Sequence, residues 1–214
     1  MGNTLMQLGS GMLVSIAIFL LTLVFALPLG LLVAFGRMAE NVIIRTIVKV
    51  YIAIMRGTPL MLQLIVVYFA PFYVFGMKIS AEYRFIAVII AFSINYAAYF
   101  AEIYRSGIES MPIGQYEAAS MLGYSKSQCF FRIIFPQVVK RILPPVTNET
   151  ITLVKDTSLA FVIAVAEMFT VAKQISAKQA SVQALMVAGA FYFVFNYIVA
   201  FIMERFEKKL SYYR

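Results

Sequence analysis

EAASMLGYSKSQCFFRIIFP, residues 117–136, lies between apolar runs long enough to cross a bilayer. It is helical in pattern, carries few charges and is interrupted at Gly123. A segment outside the lipid that served only solubility would be richer in Lys and Glu. A half-apolar one points instead to a partner's surface. Two short helices joined at Gly123 fit the pattern, because glycine permits a turn that other residues resist. On the first, Tyr116, Ala119, Ser120 and Gly123 are spaced to share a face, and its small residues would admit another protein closely. Spacing alone leaves a plain amphipathic re-entry loop equally open.

The rest of the chain sets that segment in a membrane. Of 214 residues, 62% are hydrophobic and 13% charged. A soluble domain is roughly half apolar and about a quarter charged. The length suits one domain, residues 1–214. There is no His, which removes the usual general base and the commonest metal ligand. The lone Cys129 supports neither a disulfide nor a cysteine-based metal site. Neither an enzyme nor a metal site is expected. The net charge of +8 is spread between apolar spans, so it reads as membrane topology and not as nucleic-acid binding. Residues 1–36 contain no Lys or Arg, so the first apolar run lacks the basic start of a secretory signal and is taken as a retained span.

Five spans are expected in an all-α, polytopic membrane fold. Residues 12–35 and 57–77 are uncharged and long enough for ~30 Å of hydrocarbon. Residues 37–56 repeat their charges every few positions and read as an amphipathic interfacial helix. In the second span Pro71 predicts a kink or an end. Residues 85–101 form the third span, and the polar stretch 102–141 follows. The fourth span, 142–172, should break near Pro144 and Pro145 and again near Asp156-Thr157-Ser158. Residues 184–203 form the fifth, with a tail at 204–214 in which Tyr212 and Tyr213 suit an interface. With the N-terminus outside, thirteen Lys and Arg face the cytoplasm and four, Lys78, Arg84, Lys173 and Lys178, face out. The positive-inside rule prefers this orientation, with the C-terminus and the 117–136 segment cytoplasmic.

Six residues form a candidate pocket. Charges in mid-membrane cost about 2.5–3.5 kcal/mol each on insertion scales, so they are kept where they face a cavity or one another. Glu149, Thr152 and Asp156 fall on one helix face, with Asn148 at its edge and Lys155 elsewhere. Carboxylates there would hold an α-ammonium or a cationic side chain, and Asn95 and Tyr96 of the third span could add hydrogen bonds. The competing reading is a packing network in which Lys155 pairs with a carboxylate. Arg56 is taken as a charge anchor, and Glu102 with Arg105 as a brace at a span end.

The loop resembles the EAA motif of ABC importer membrane subunits. Glu117-Ala118-Ala119, then Gly123, then Ile133 and Pro136 match its spacing, with Phe135 in place of a Leu. RGTPL at 56–60, the run NYAAYFAEIYRSGIESMPIGQYEAASMLG at 95–123 and NETITLVKDTSLAFVI at 148–163 resemble the polar amino acid permeases of that family. The resemblance covers most of the chain.

It implies a type I ABC importer transmembrane fold, with coupling helices at about 112–136. Glu117, Ala118, Ala119 and Gly123 would dock on a cytoplasmic ATP-binding subunit, Glu117 pairing with a basic residue there or capping its own helix. ATP and Mg would be bound by that subunit, since this chain has no phosphate loop and is expected to bind no cofactor. An extracytoplasmic amino-acid-binding protein, a second permease subunit of the same or similar sequence, the lipid bilayer and a prokaryotic inner membrane are implied as well. The paired carboxylates lean towards arginine, lysine or histidine; glutamine, cystine or another zwitterionic amino acid is the alternative. An ion-coupled secondary carrier would explain buried carboxylates but not the EAA spacing, and it would be expected to show an internal repeat that the sequence lacks.

Overall fold

The computed structural model describes residues 2–210, so the expectations for Tyr212, Tyr213 and Arg214 lie outside the described residues. Within them every regular element is helical: α1 (Gly2–Arg37), α2 (Val42–Gly57), α3 (Leu60–Phe75), α4 (Tyr83–Glu109), α5 (Ile113–Met121), α6 (Lys126–Cys129), a π turn (Phe130–Ile134), α7 (Phe135–Asp156), a 3-10 turn (Thr157–Ile163), α8 (Met168–Gln179) and α9 (Gln183–Leu210). Three helices are each long and apolar enough to span a membrane: Thr4–Arg37, Tyr83–Glu109 and Gln183–Leu210. Two bent pairs, Val42–Gly57 with Leu60–Phe75 (111°) and Lys126–Ile163 with Met168–Gln179 (56°), bring the total to five if each is one span.

The core sits where α1 lies along α4. Ile18, Phe19, Ala26, Phe92, Tyr96 and Leu153 are among its buried members. Gly30 allows the approach, because a Cβ there would stand 2.8 Å from Phe100 Cβ and 3.1 Å from the Ala97 carbonyl. Small residues let membrane helices pack this closely where lipid gives no hydrophobic drive.

Both bends occur where the backbone is interrupted, and side chains close the gaps. Pro59 precedes α3 and cannot continue α2. The Gln63 amide donates to the carbonyls of Met55 (3.0 Å) and Thr58 (3.1 Å), which the break releases. Asn95 of α4 donates to the same Met55 carbonyl (3.0 Å) and to Gln63 Oε1 (2.9 Å). Unpaired carbonyls are costly against hydrocarbon, and these side chains take up two of those at the elbow. Pro71 neither breaks nor ends α3, which runs on to Phe75 and stops at the left-handed Gly76 (φ 64°).

The fourth span corrects one expectation and bears out another. α7 passes through Pro144 and Pro145 without a break. Neighbours hold it on both sides of the prolines: Thr147 Oγ1 donates to Glu207 of α9 (2.6 Å), and Ile142 packs against Gly107 of α4. The change at Asp156 is present, as α-helix gives way to the 3-10 turn and then to Ala164 at φ 57°.

Beyond it, wholly buried Glu167 caps α8. Its carboxylate accepts from the Phe169 and Thr170 amides (2.7 and 2.6 Å), Thr170 Oγ1 (2.8 Å), Tyr192 Oη (2.9 Å) and Ser15 Oγ (3.4 Å). One side chain thereby ties α1, α8 and α9. Each buried donor left unpaired costs about 1–3 kcal/mol, so Glu167→Ala should destabilise the fold by about 3 kcal/mol or more. The check is thermal unfolding in detergent: a midpoint lowered by several degrees is expected, with Glu167→Gln intermediate, and an unchanged midpoint would show that the cap is dispensable.

Candidate functional site

Where α4 faces α7 below the α2–α3 elbow, a cavity of about 250 Å³ opens. Thr58, Leu60, Asn95, Tyr96, Tyr99, Glu149, Thr152 and Asp156 line it. Its wall thus carries two carboxylates and no cationic side chain. The helical repeat of α7 delivers Glu149, Thr152 and Asp156 to one side, as their spacing requires. Tyr96 Oη donates to Asp156 Oδ2 at 2.7 Å. Thr152 Oγ1 returns to its own helix, on the Asn148 carbonyl (3.0 Å). Glu149 is half-buried and makes no hydrogen bond or ion pair within the described residues.

A second cavity of about 580 Å³ shares Glu149 and Tyr99 with the first and runs along α4 and α7 towards α5. Its lining includes Arg56, Glu102, Arg105, Ser110 and Arg141. Glu102 is ringed by Arg105 (2.7 Å), Arg37 (3.8 Å) and Arg56 (4.0 Å), which ties α1, α2 and α4 together. The Arg56 guanidinium lies over the Tyr99 ring at 5.3 Å. The two cavities therefore differ in sign: the inner is acidic, the outer mainly cationic.

The 117–136 segment forms α5, a turn at Gly123 (φ 78°) and α6. Ser125 and Gln128 make a capping box that starts α6. The expected partner-facing stripe needs correction: Ala119 points inward, 1% exposed, among Met111, Cys129, Ile134 and Val138. The apolar side chains left outside include Ile113 (74% exposed), Met121 (90%), Leu122 (76%) and Phe131 (65%). Glu117 and Ala118 are exposed, and Glu117 sits in mid-helix, where it cannot cap.

Residues 26–212 match the family described as binding-protein-dependent transport system inner membrane component. The chain belongs to that family. It is 34% identical over 208 residues to the L-cystine transport system permease protein TcyB of Bacillus subtilis (strain 168), covering 96% of this chain and 87% of that one. It is 33% identical over 202 residues to the arginine transport system permease protein ArtQ of the same organism, covering 94% and 91%. A crystal structure of an amino acid ABC transporter with histidines superposes with a TM-score of 0.88 at 31% identity, covering 98% of this chain and 96% of that one. The protein is the multi-pass permease subunit of an amino-acid ABC importer, with the type I transmembrane fold. Its relatives are named as transport permeases and not as enzymes.

Of the pocket residues expected from sequence, the permease gathers Glu149, Asp156, Thr152, Asn95 and Tyr96 around one cavity. Asn148 is not among the lining residues; it is exposed, on another side of α7. Lys155 is exposed too; it is in no ion pair or hydrogen bond with a carboxylate within the described residues, and its charge acts on Asp156 only at longer range. Asn95 is already committed to the α2–α3 elbow. Tyr99 and Thr58 were missed as lining residues. The signal for Tyr99 was its position one turn beyond Tyr96 on an amphipathic helix.

Tyr96→Phe tests the wall. It removes the one hydroxyl that bonds Asp156 among the described residues while keeping the ring. A hydrogen bond to a charged group contributes about 1.5–3 kcal/mol, so the apparent KM for cargo should shift by roughly tenfold. The comparison is uptake kinetics at matched expression; an unchanged KM and rate would remove Tyr96 from the site.

Proposed function

We propose that the acidic cavity receives the ammonium or cationic side chain of the transported amino acid, with Glu149 and Asp156 as the charged contacts. One observation carries this reading: two carboxylates face a single cavity with no cation in its wall. Tyr96, Thr152 and Asn95 shape that wall. Two carboxylates suit arginine, lysine or histidine, for which both ends of the cargo need an anion. A zwitterion such as glutamine or cystine would engage one of them through its α-ammonium. The second cavity adjoins the first at Glu149 and Tyr99, and cargo leaving that way would pass the arginines of its wall.

The chain acts as one transport domain, residues 1–214, in a prokaryotic inner membrane, with its N-terminus outside and its C-terminus in the cytoplasm. The exposed apolar residues of α5 and its turn dock on a cytoplasmic subunit that binds ATP and Mg. An extracytoplasmic binding protein delivers the amino acid, and a second permease subunit, identical or similar, completes the pathway. The exposed Ile113, Met121 and Leu122, beside an EAA spacing, support the docking reading.

Uptake in proteoliposomes containing the permease, its ATP-binding subunit and its binding protein tests this. Losing the charge of Glu149 removes about 1.5–3 kcal/mol of charge-assisted bonding, so Glu149→Gln should cut L-arginine or L-lysine uptake about tenfold or more. Basal ATP hydrolysis should be retained. Unchanged uptake would move the contact elsewhere, and uptake without the ATP-binding subunit would favour a secondary carrier.

A further inference from the structure

The two carboxylates of the acidic cavity stand on one helical rod, and the exposed coupling surface stands beside its start. α6, the π turn, α7 and the 3-10 turn run as a continuous helical segment, Lys126–Ile163. At about 1.5 Å per residue, Gln137 lies roughly 18 Å along it from Glu149. α5 is not part of the rod, since the turn at Gly123 separates them. The turn links α5 to the rod only at its end, so side-chain contacts set how the rest of α5 sits on the rod.

One pair of side chains is built for that. Gln115 Nε2 of α5 donates to Gln137 Oε1 of α7 at 2.9 Å, and Gln137 Nε2 donates back to Gln115 Oε1 at 2.6 Å. Gln137 Nε2 also donates to the Ile133 carbonyl (2.8 Å), which fixes its orientation on the rod. Both amides are half-buried above the cluster formed by Ala119, Cys129, Ile134 and Val138. Arg141 adds a strap just before α5, donating to the Ser110 carbonyl (2.8 Å) and Ser110 Oγ (3.1 Å). Gly107 seals the α4 side, where a Cβ would stand 2.2 Å from Ile142 Cγ2.

The physics favours an amide pair for this task. Apolar contact is non-directional, so the cluster beneath resists separation but not sliding. Hydrogen bonds are directional. A single one acts as a pivot, whereas two antiparallel ones fix orientation. Two neutral amides supply both at once without burying a charge.

We propose that the reciprocal Gln115–Gln137 bridge is a positioning clamp that makes α5 and α7 move as one body, so that motion imposed on α5 reaches Glu149 and Asp156. The clamp rests on the docking reading above. It transmits force and touches no cargo.

The test uses the complete transporter in proteoliposomes and measures L-arginine imported per ATP hydrolysed, with L-cystine in its place if that is the cargo the uptake assay selects. Gln115→Leu and Gln137→Leu should each keep ATP hydrolysis and assembly with the ATP-binding subunit but lower the ratio about fivefold or more, the scale of a coupling energy. The exchange Gln115→Glu with Gln137→Lys should restore the ratio to within about twofold, and Gln115→Glu alone should not. Leucine variants with a wild-type ratio would overturn the clamp. Should the leucine variants fail to assemble, the exchange pair decides: equal loss in Gln115→Glu alone and in the pair would overturn it. Leu122→Asp separates the two readings. Loss of assembly there supports docking at α5, and unchanged assembly and uptake would remove that reading together with the clamp's source of motion.

Discussion

A carboxylate taken out of water needs donors, and four within this helical bundle meet that need unequally. Glu167 is closed in by five donors. Glu102 is surrounded by Arg37, Arg56 and Arg105. Asp156 has one hydroxyl, from Tyr96, and Glu149 has no bonded partner within the described residues. The first two are settled and hold helices together. The second two face a shared cavity with bonding capacity to spare, and the proposed cargo contact rests on that difference.

Backbone breaks follow the same economy of donors. The α2–α3 elbow sets Thr58 and Leu60 at the cavity, and it exists because Gln63 and Asn95 take up the carbonyls that Pro59 strands. The 3-10 turn begins immediately after Asp156 and leads to the capped start of α8. Glu149 and Asp156 are thereby held on a rod whose other end packs against α5 through Ala119, Cys129, Ile134 and Val138.

Much of this was legible in the sequence. Apolar runs marked the spans in α1, α4 and α9, whereas the run at 57–77 became the shorter α3, which reaches spanning length only as a bent pair with α2; the spacing of Glu149, Thr152 and Asp156 put them on one face. The change of helix type at Asp156 could be read from its polar neighbours. What failed depended on contacts between distant segments. Pro144 and Pro145 suggested a break, but packing from α4 and α9 on either side holds α7 continuous. Ala119 looked like a contact stripe because it is small, yet that smallness lets α5 close on α7. Asn95 looked free for a ligand, and only the folded elbow shows its amide occupied. Asn148 shows the limit of face arithmetic, since a position at the edge of a helix face can turn away from the cavity. Half of Glu167's role was local, as the N-cap of α8, but its ties to Ser15 and Tyr192 could not be read because they lie far off in the chain.

The central claim is that Glu149 and Asp156 hold the cargo's positive charge inside the membrane. It is tested most directly by equilibrium binding of radiolabelled L-arginine, L-glutamine and L-cystine to the detergent-solubilised permease and ATP-binding subunit, with the binding protein removed. The wild type should retain at least one of the three, and the Glu149→Gln, Asp156→Asn double variant should lose it while keeping its helix content and its assembly. A double variant that binds all three as the wild type does would contradict the account.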